Sequence, residues 1–315
     1  MERKENTVYV LSLSYGKDSL ACLGAIEKLG WPLDAIVHAE VWATDTIPAD
    51  LPPMVEFKQR ADAVIKERYG IEVQHISASR QRERESYEST FYRQRARGGS
   101  IGKIYGFPTA SGGWCRDLKC SGTADIRRYI LSCLQKESAK DLRLSNEEEC
   151  LVHRRTQASG AQKKYDFFES PTQGANKNTV VQYLGIALDE PIRLARLDGI
   201  NLVSPLAAIG WTEADCRKWC EENALLSPIY TTSQRGGCWF CHYQSIDQLR
   251  LLRKNYPDLW QLLLKWDTDS PVSFHADGHT VHDFDKRFAM EEQGLLKDRP
   301  FRWKYVTDSD TTSFK

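Results

Sequence analysis

The chain has 315 residues, 41% hydrophobic and 27% charged, with Lys+Arg and Asp+Glu both at 43; this is a globular composition, long enough for one large or two ordinary domains and without the net charge that draws a protein to nucleic acid or an anionic membrane. No apolar run approaches the ~20 residues that span a bilayer, and the opening MERKENTVYV has no signal-type apolar stretch, so the expected location is the cytoplasm, with no membrane partner. Nine cysteines in that compartment are expected as buried thiols or metal ligands rather than as disulfides.

Val8, Val10, Leu11 and Leu13 form a short β-type run, Ser14-Tyr15-Gly16-Lys17-Asp18-Ser19 turns, and Leu20 to Leu29 reads as a helix. A strand, a tight loop and a helix N-terminus, with Gly16 for close backbone approach and Ser14, Lys17 and Ser19 as donors, are the parts of an anion cradle. The loop is neither G-x-x-x-x-G-K-[ST] nor G-x-G-x-x-G. The alternative is a serine-rich turn that binds nothing.

Ala35 to Trp42 reads as the second strand, and Asp45 and Thr46 follow its C-terminal end, where open α/β sheets bind ligands. Both are candidate nucleotide contacts, with turn capping the equal alternative for Asp45. Met54 to Tyr69 reads as an amphipathic helix and Ile71 to Ile76 as a third strand, and this alternation predicts a doubly wound parallel sheet. From Arg80 to Arg97, arginines alternate with Tyr87, Phe91 and Tyr92; the segment is either a surface for a phosphorylated or nucleic-acid partner or a solvated helix face. Residues 98–113 read as a glycine-rich loop leading to Trp114-Cys115-Arg116-Asp117-Leu118-Lys119-Cys120 and a helix over Thr123 to Gln135, and 137–178 as a mobile insertion.

Val180 to Ile186 returns as a strand, followed by Asp189 and Glu190, which suit Mg²⁺ or a ribose, and by Arg193 and Arg196, which suit phosphate; surface ion pairing is the alternative. Leu202 to Leu206 reads as a short final strand and Thr212 as the cap of a helix to Asn223 that carries the core-facing Cys216 and Cys220. Cys238-Trp239-Phe240-Cys241 follows two glycines and forms half of a zinc or iron–sulfur site, with Cys115 and Cys120 as its expected partners. A redox pair and plain buried thiols are the alternatives. The rest is helical: a Ser245/Gln248 capping box opens Ile246 to Asn255, Pro257 opens the next helix, and His282 to Gln293 is the last. The expected division is 1–230 as the α/β domain and 231–315 as the CxxC segment with the helical C-terminal region.

Four stretches together resemble one family. SYGKDS resembles the PP-loop S-G-G-x-D-S of the ATP pyrophosphatases and the phosphoadenosine phosphosulfate (PAPS) reductases, with Tyr15 for the first glycine. WCRDLK resembles the cysteine-and-lysine motif of PAPS-reductase-like proteins, GIALDEPIR their G-I-R-x-D-E-x-x-R segment, and SPIYTTSQRGGCWFC their N-P-L-Y…G-C-x-x-C stretch. The resemblance spans residues 8 to about 245 and implies the PP-loop, adenine nucleotide alpha hydrolase-like fold. It implies an adenine nucleotide, ATP or PAPS, held by Ser14, Tyr15, Gly16, Lys17, Asp18 and Ser19, with Asp45, Thr46, Asp189, Glu190 and Arg193 around it and Lys17, Asp18 and Lys119 in catalytic roles. It also implies a four-iron cluster, or zinc, on Cys115, Cys120, Cys238 and Cys241, with Trp114 standing at the first position of the family's Cys-Cys pair.

Reductases of the family use a cysteine in a C-terminal tail, and this chain has none after Cys241. That absence, and the Lys-Asp-Ser ending of the loop, turn the expectation to an enzyme that binds ATP with Mg²⁺, cleaves at the α-phosphate and adenylates an acceptor, in service of sulfur transfer from a sulfur-donor partner. The alternatives are a sulfonucleotide reductase using Cys238, Cys241 or an external thiol, and a non-catalytic nucleotide-binding module acting with nucleic acid.

Overall fold

A computed structural model describes residues 1–80, 83–96, 98, 100–108, 113–116, 118, 179–231, 237–296, 302–303 and 306. The predicted helix at Thr123 to Gln135, the insertion, Lys119, Cys120, Cys133 and Cys150 lie outside them. The chain divides into two units: residues 1–39, 61–83 and 122–226, and residues 40–60, 84–121 and 227–315. Neither is continuous in sequence.

The first unit is a parallel α/β sheet. Strands β1 (Thr7–Ser12), β2 (Ala35–Glu40), β3 (Val73–Ser77), β4 (Thr179–Tyr183) and β5 (Leu202–Val203) lie in the order β3-β2-β1-β4-β5, and the β1–β2, β1–β4 and β4–β5 pairs are parallel. Period-2 alternation sends Val8 and Val10 to a face shared with Ala35, Val37 and Val180. Tyr9 and Leu11, on the opposite face, have no exposure either, so β1 is buried on both sides, as a central parallel strand requires.

The chain leaves β1 toward β2 and β3, then returns to β1's other side with β4. The C-terminal ends of β1 and β4 therefore flank the point where strand order reverses. Helix α1 (Lys17–Leu29) leaves β1 there. It begins three residues before the predicted Leu20, because Gly16 serves as its N-cap and Asp18 favours the first turn. Helix α2 (Pro52–Tyr69) carries Asp62 in its first-unit half.

Helix α3 (Tyr87–Phe91) falls in the second unit and buries Tyr87, Thr90 and Phe91. The arginine-rich segment thus offers neither Tyr87 nor Phe91 for base stacking. In the first unit, α4 (Pro191–Leu194) is exposed, while α5 (Pro205–Ile209) and α6 (Glu213–Glu222) pack on α1. The predicted strand Leu202 to Leu206 divides into β5 and the start of α5, since Pro205 at N1 and Ser204 as the cap open a helix.

The second unit is helical after residue 245: α7 (Ile246–Asn255), α8 (Pro257–Asp269) and α9 (Val281–Glu292). The predicted Ser245/Gln248 box forms, and Thr280/Asp283 makes another at α9. The core here is aromatic, with Trp239 and Trp266 stacked at 5.5 Å. Among the described residues no helix is long and apolar enough to cross a membrane.

Candidate functional site

The loop from Ser14 to Ser19 lies at the strand-order reversal. Ser19 organises it: its hydroxyl donates to the Gly16 carbonyl at 3.0 Å and accepts from the Ser14 amide at 3.1 Å. Gly16 makes no side-chain cap, so the first amides of α1 receive no side-chain acceptor from their N-cap. Those amides and the positive helix end suit an anion.

Gly185, just past β4, closes the other side. A Cβ there would stand 2.5 Å from the Ser19 amide nitrogen and 2.7 Å from the Asp18 carbonyl carbon, so only glycine lets the two backbones meet.

Tyr15 sets the turn of the loop with its backbone. Its φ is +56°, in the left-handed region, at a cost of about 1–2 kcal/mol for a residue with a Cβ. Its side chain is fully buried; the hydroxyl bonds to the Asp62 carboxylate and lies 3.1 Å from His75 Nε2, itself 2.9 Å from Asp62 Oδ2. The ring meets His38 edge-on at 4.8 Å. Tyr15 thus contributes main chain to the loop, and its side chain anchors the loop from beneath.

Lys17 Nζ donates to Asp18 Oδ1 and Glu213 Oε2, both at 2.8 Å. Burial pulls the ammonium's pKa down, but these two bonds outweigh it and hold it above its ordinary value, so Lys17 stays a cation. Burial raises the Asp18 carboxyl; Lys17 pulls it back, and the charges of Glu213 and Glu190 add to the rise. Asp189 Oδ1 accepts the Glu213 amide at 3.0 Å, and so steadies the N-terminus of α6. Glu190 accepts the Ala187 amide and pairs with the exposed Arg193.

Glu213 escaped sequence reasoning, which saw only a helix cap around it; its partner lies 196 residues away. Cys220, expected in the core, also touches the loop, donating to the Lys17 carbonyl at 3.2 Å. Burial pushes its thiol up to about 12, with Asp18 adding to the rise, and Cys216 shifts the same way. Neither is poised as a nucleophile.

No protein-family model matches the chain. No curated protein matches it significantly.

The other predicted residues that the structure describes fall in the second unit. Asp45 and Thr46 are exposed in a turn organised by Thr44, whose hydroxyl accepts the Thr46 and Ile47 amides. The Asp45 carbonyl accepts from Arg84, which stacks 3.8 Å over Trp42. Cys238 and Cys241 form a knuckle: the Cys241 amide donates to the Cys238 carbonyl at 3.0 Å, and buried Trp239 ties the turn to the Ala49 and Pro48 carbonyls.

Tyr87 lies against the knuckle's Phe240 and against Trp114, the neighbour of Cys115. Burial pushes its phenol well up, and Cys115, Cys238 and Cys241 add to the rise. Soft thiolate donors in an aromatic pocket suit zinc or an iron–sulfur centre. Among the described residues, however, no three His, Cys, Asp or Glu side chains stand close enough together to hold a metal ion. A cavity of about 530 Å³ elsewhere in this unit, lined by Ile47, Val55, Tyr256, Pro257 and Leu259, includes none of the predicted site residues.

Proposed function

We propose that the chain is a PP-loop protein of the PAPS-reductase-like family that binds ATP with Mg²⁺, cleaves it at the α-phosphate and adenylates an acceptor, releasing pyrophosphate. The observation that carries this reading is the Ser14–Ser19 loop at the strand-order reversal, closed by Gly185.

Catalysis in this reading is electrostatic. The α1 amides and the Ser14 hydroxyl receive phosphate oxygens, and Lys17 exchanges a carboxylate partner for the charge developing on them. Glu213 holds the ammonium in place until the nucleotide arrives. Mg²⁺ carried with the nucleotide would neutralise charge on the phosphates. Such an ion takes one or two carboxylates and otherwise phosphate and water, which fits the Asp18, Asp189 and Glu190 side of the loop without a three-ligand protein site. Lys119 is a further proposed phosphate contact, and Cys115, Cys120, Cys238 and Cys241 are proposed ligands of zinc or a four-iron cluster.

The raised, buried thiols of Cys216 and Cys220 argue against sulfonucleotide reduction by a cysteine beside the loop. The deciding experiment incubates the protein with Mg²⁺ and ATP labelled at the α- or γ-phosphate, with candidate acceptors, and scores pyrophosphate and adenylated product. A parallel assay supplies PAPS and thioredoxin and scores sulfite. Sulfite without ATP turnover sinks the adenylation reading.

A further inference from the structure

Beneath the Ser14–Ser19 loop the first unit gathers a polar cluster to which the loop gives Tyr15, α2 gives Asp62 and β3 gives His75. The Tyr15 hydroxyl donates to Asp62 Oδ1, while His75 Nε2 lies 2.9 Å from Asp62 Oδ2 and 3.1 Å from the Tyr15 oxygen. An ionised carboxylate only accepts, so His75 carries a proton on Nε2 and donates it to this cluster. His38 extends the arrangement. Its Nδ1 donates to the Leu13 carbonyl at 2.8 Å, and its ring stands edge-on to Tyr15 at 4.8 Å and to His75 at 5.3 Å.

Within the loop, Tyr15 alone has a backbone that opposes the observed turn. At a φ of +56° a residue with a Cβ is disfavoured and glycine is not. Such a conformation persists only where its surroundings over-determine it. Here those surroundings are the contacts of the fully buried Tyr15 side chain.

We propose that Asp62 and His75 are positioning residues of the phosphate loop: through the Tyr15 hydroxyl they hold its main chain in the left-handed turn, and so set the fraction of molecules ready to receive phosphate. This rests on the reading of the loop as a phosphate site given above. Without the lock, the free protein leaves the turn, and apparent affinity falls in proportion to the fraction still in it. Ligand at saturation restores the turn, so the loss lies in affinity and not in the capacity to bind.

The test measures Kd for labelled MgATP and for labelled pyrophosphate by equilibrium dialysis on the full-length chain, together with amide exchange of residues 14–19 without ligand. Tyr15→Phe, which keeps the ring, is expected to weaken both affinities about 5- to 30-fold, the factor that the left-handed penalty corresponds to, and to speed exchange in the loop. Asp62→Ala should act in the same direction, and the double variant should bind no more weakly than Tyr15→Phe, because both changes remove one interaction. Tyr15→Gly supplies the turn without a lock. Added to it, Asp62→Ala should change Kd by less than about twofold. A role of Asp62 confined to supporting α2 or β3 would weaken binding equally in both backgrounds. Tyr69→Phe, which removes a hydroxyl bonded to Glu27 further along α2, should alter neither affinity nor loop exchange.

If the wild type binds MgATP but Tyr15→Phe binds it equally well, or Asp62→Ala does as much harm beside Tyr15→Gly as alone, the proposal fails while the phosphate reading stands. If the wild type binds neither ATP, PAPS nor pyrophosphate, the phosphate reading fails and the proposal with it. Should either Tyr15 variant not fold, Asp62→Ala alone must weaken affinity and speed exchange at residues 14–19; unchanged affinity overturns the proposal.

Discussion

Asp18 carries a charge that its surroundings oppose. Burial, with Glu213 and Glu190 nearby, raises its carboxyl above the ordinary 3.8. A raised carboxylate contributes stability that is full below its unfolded pKa and is lost as pH rises through the folded value. Asp18→Asn is therefore expected to melt at the same or a higher temperature than wild type at pH 7–8, and to lose the wild type's decline above pH 4, while ATP turnover falls. A lower melting point at neutral pH would show that the Lys17 bond outweighs the burial. Gly185→Ala tests the same loop from the other side. Its Cβ meets backbone, which cannot swing away, so the loop must shift; a misplacement approaching 1 Å costs about 100-fold in turnover. Unchanged nucleotide affinity and turnover would mean the loop does not hold the ligand. Tyr15 was legible as a residue of the tight loop, but the burial of its side chain was not: the sequence shows a hydroxyl beside serines, and only the folded chain turns it onto Asp62 and His75.

At the scale of elements, α1 and α6 meet so closely that Gly24 has no room for a methyl group beneath the Trp219 indole. Gly24→Ala is expected to destabilise the protein by about 1–3 kcal/mol through overpacking. Trp219→Leu should cost stability alone yet soften the effect of Gly24→Ala, a coupling that a double-mutant cycle in denaturant measures. Strict additivity would place the clash elsewhere. Elements announced by local signals were legible: the apolar run of β1, the Ser245/Gln248 box, Pro257 at the start of α8. Those that depend on distant partners were not. Glu213 looked like any cap-adjacent carboxylate until Lys17 stood beside it, and Tyr87 and Phe91 looked like stacking aromatics because charged neighbours flank a buried ring in α3 as readily as an exposed one.

For the molecule as a whole, the two candidate sites draw on different units, and each should respond to its own ligand. Hydrogen exchange with MgATP is expected to protect residues 14–20 and 185–190, whereas chelation should expose residues around 87, 115 and 238–241. A pattern in which MgATP protects only the second unit would overturn the placement of the nucleotide. The C-terminal helices also carry an acid-sensitive tie. Burial would raise the Glu291 carboxyl, but hydrogen bonds from Arg250 and Arg287 overcome it and hold it below the ordinary 4.5. That stabilisation is complete above pH 4.5 and is lost as pH falls through the lower folded value. Glu291→Gln should lower the melting temperature at pH 7 and narrow its gap from wild type in acid; a constant gap would show that the charge is irrelevant. The parallel sheet was legible from strand–helix alternation. The discontinuous units were not, because composition changes little where the chain crosses between them.

Strand order has a further consequence, in the time of synthesis. β1 is flanked by β2 and by β4, and Leu11 waits for Tyr183 as its register partner. At about 5–20 residues per second, that partner emerges roughly 10–30 s after β1. Until then β1 presents an unpaired edge, and the Ser14–Ser19 loop lacks both Gly185 and Glu213. Nascent chains arrested at residue 178 are therefore expected to hold chaperones and to sediment with aggregates, whereas chains arrested well past residue 222 should resist protease. The Ser14–Ser19 site is completed late, by the arrival of β4 and α6 at a loop made long before them.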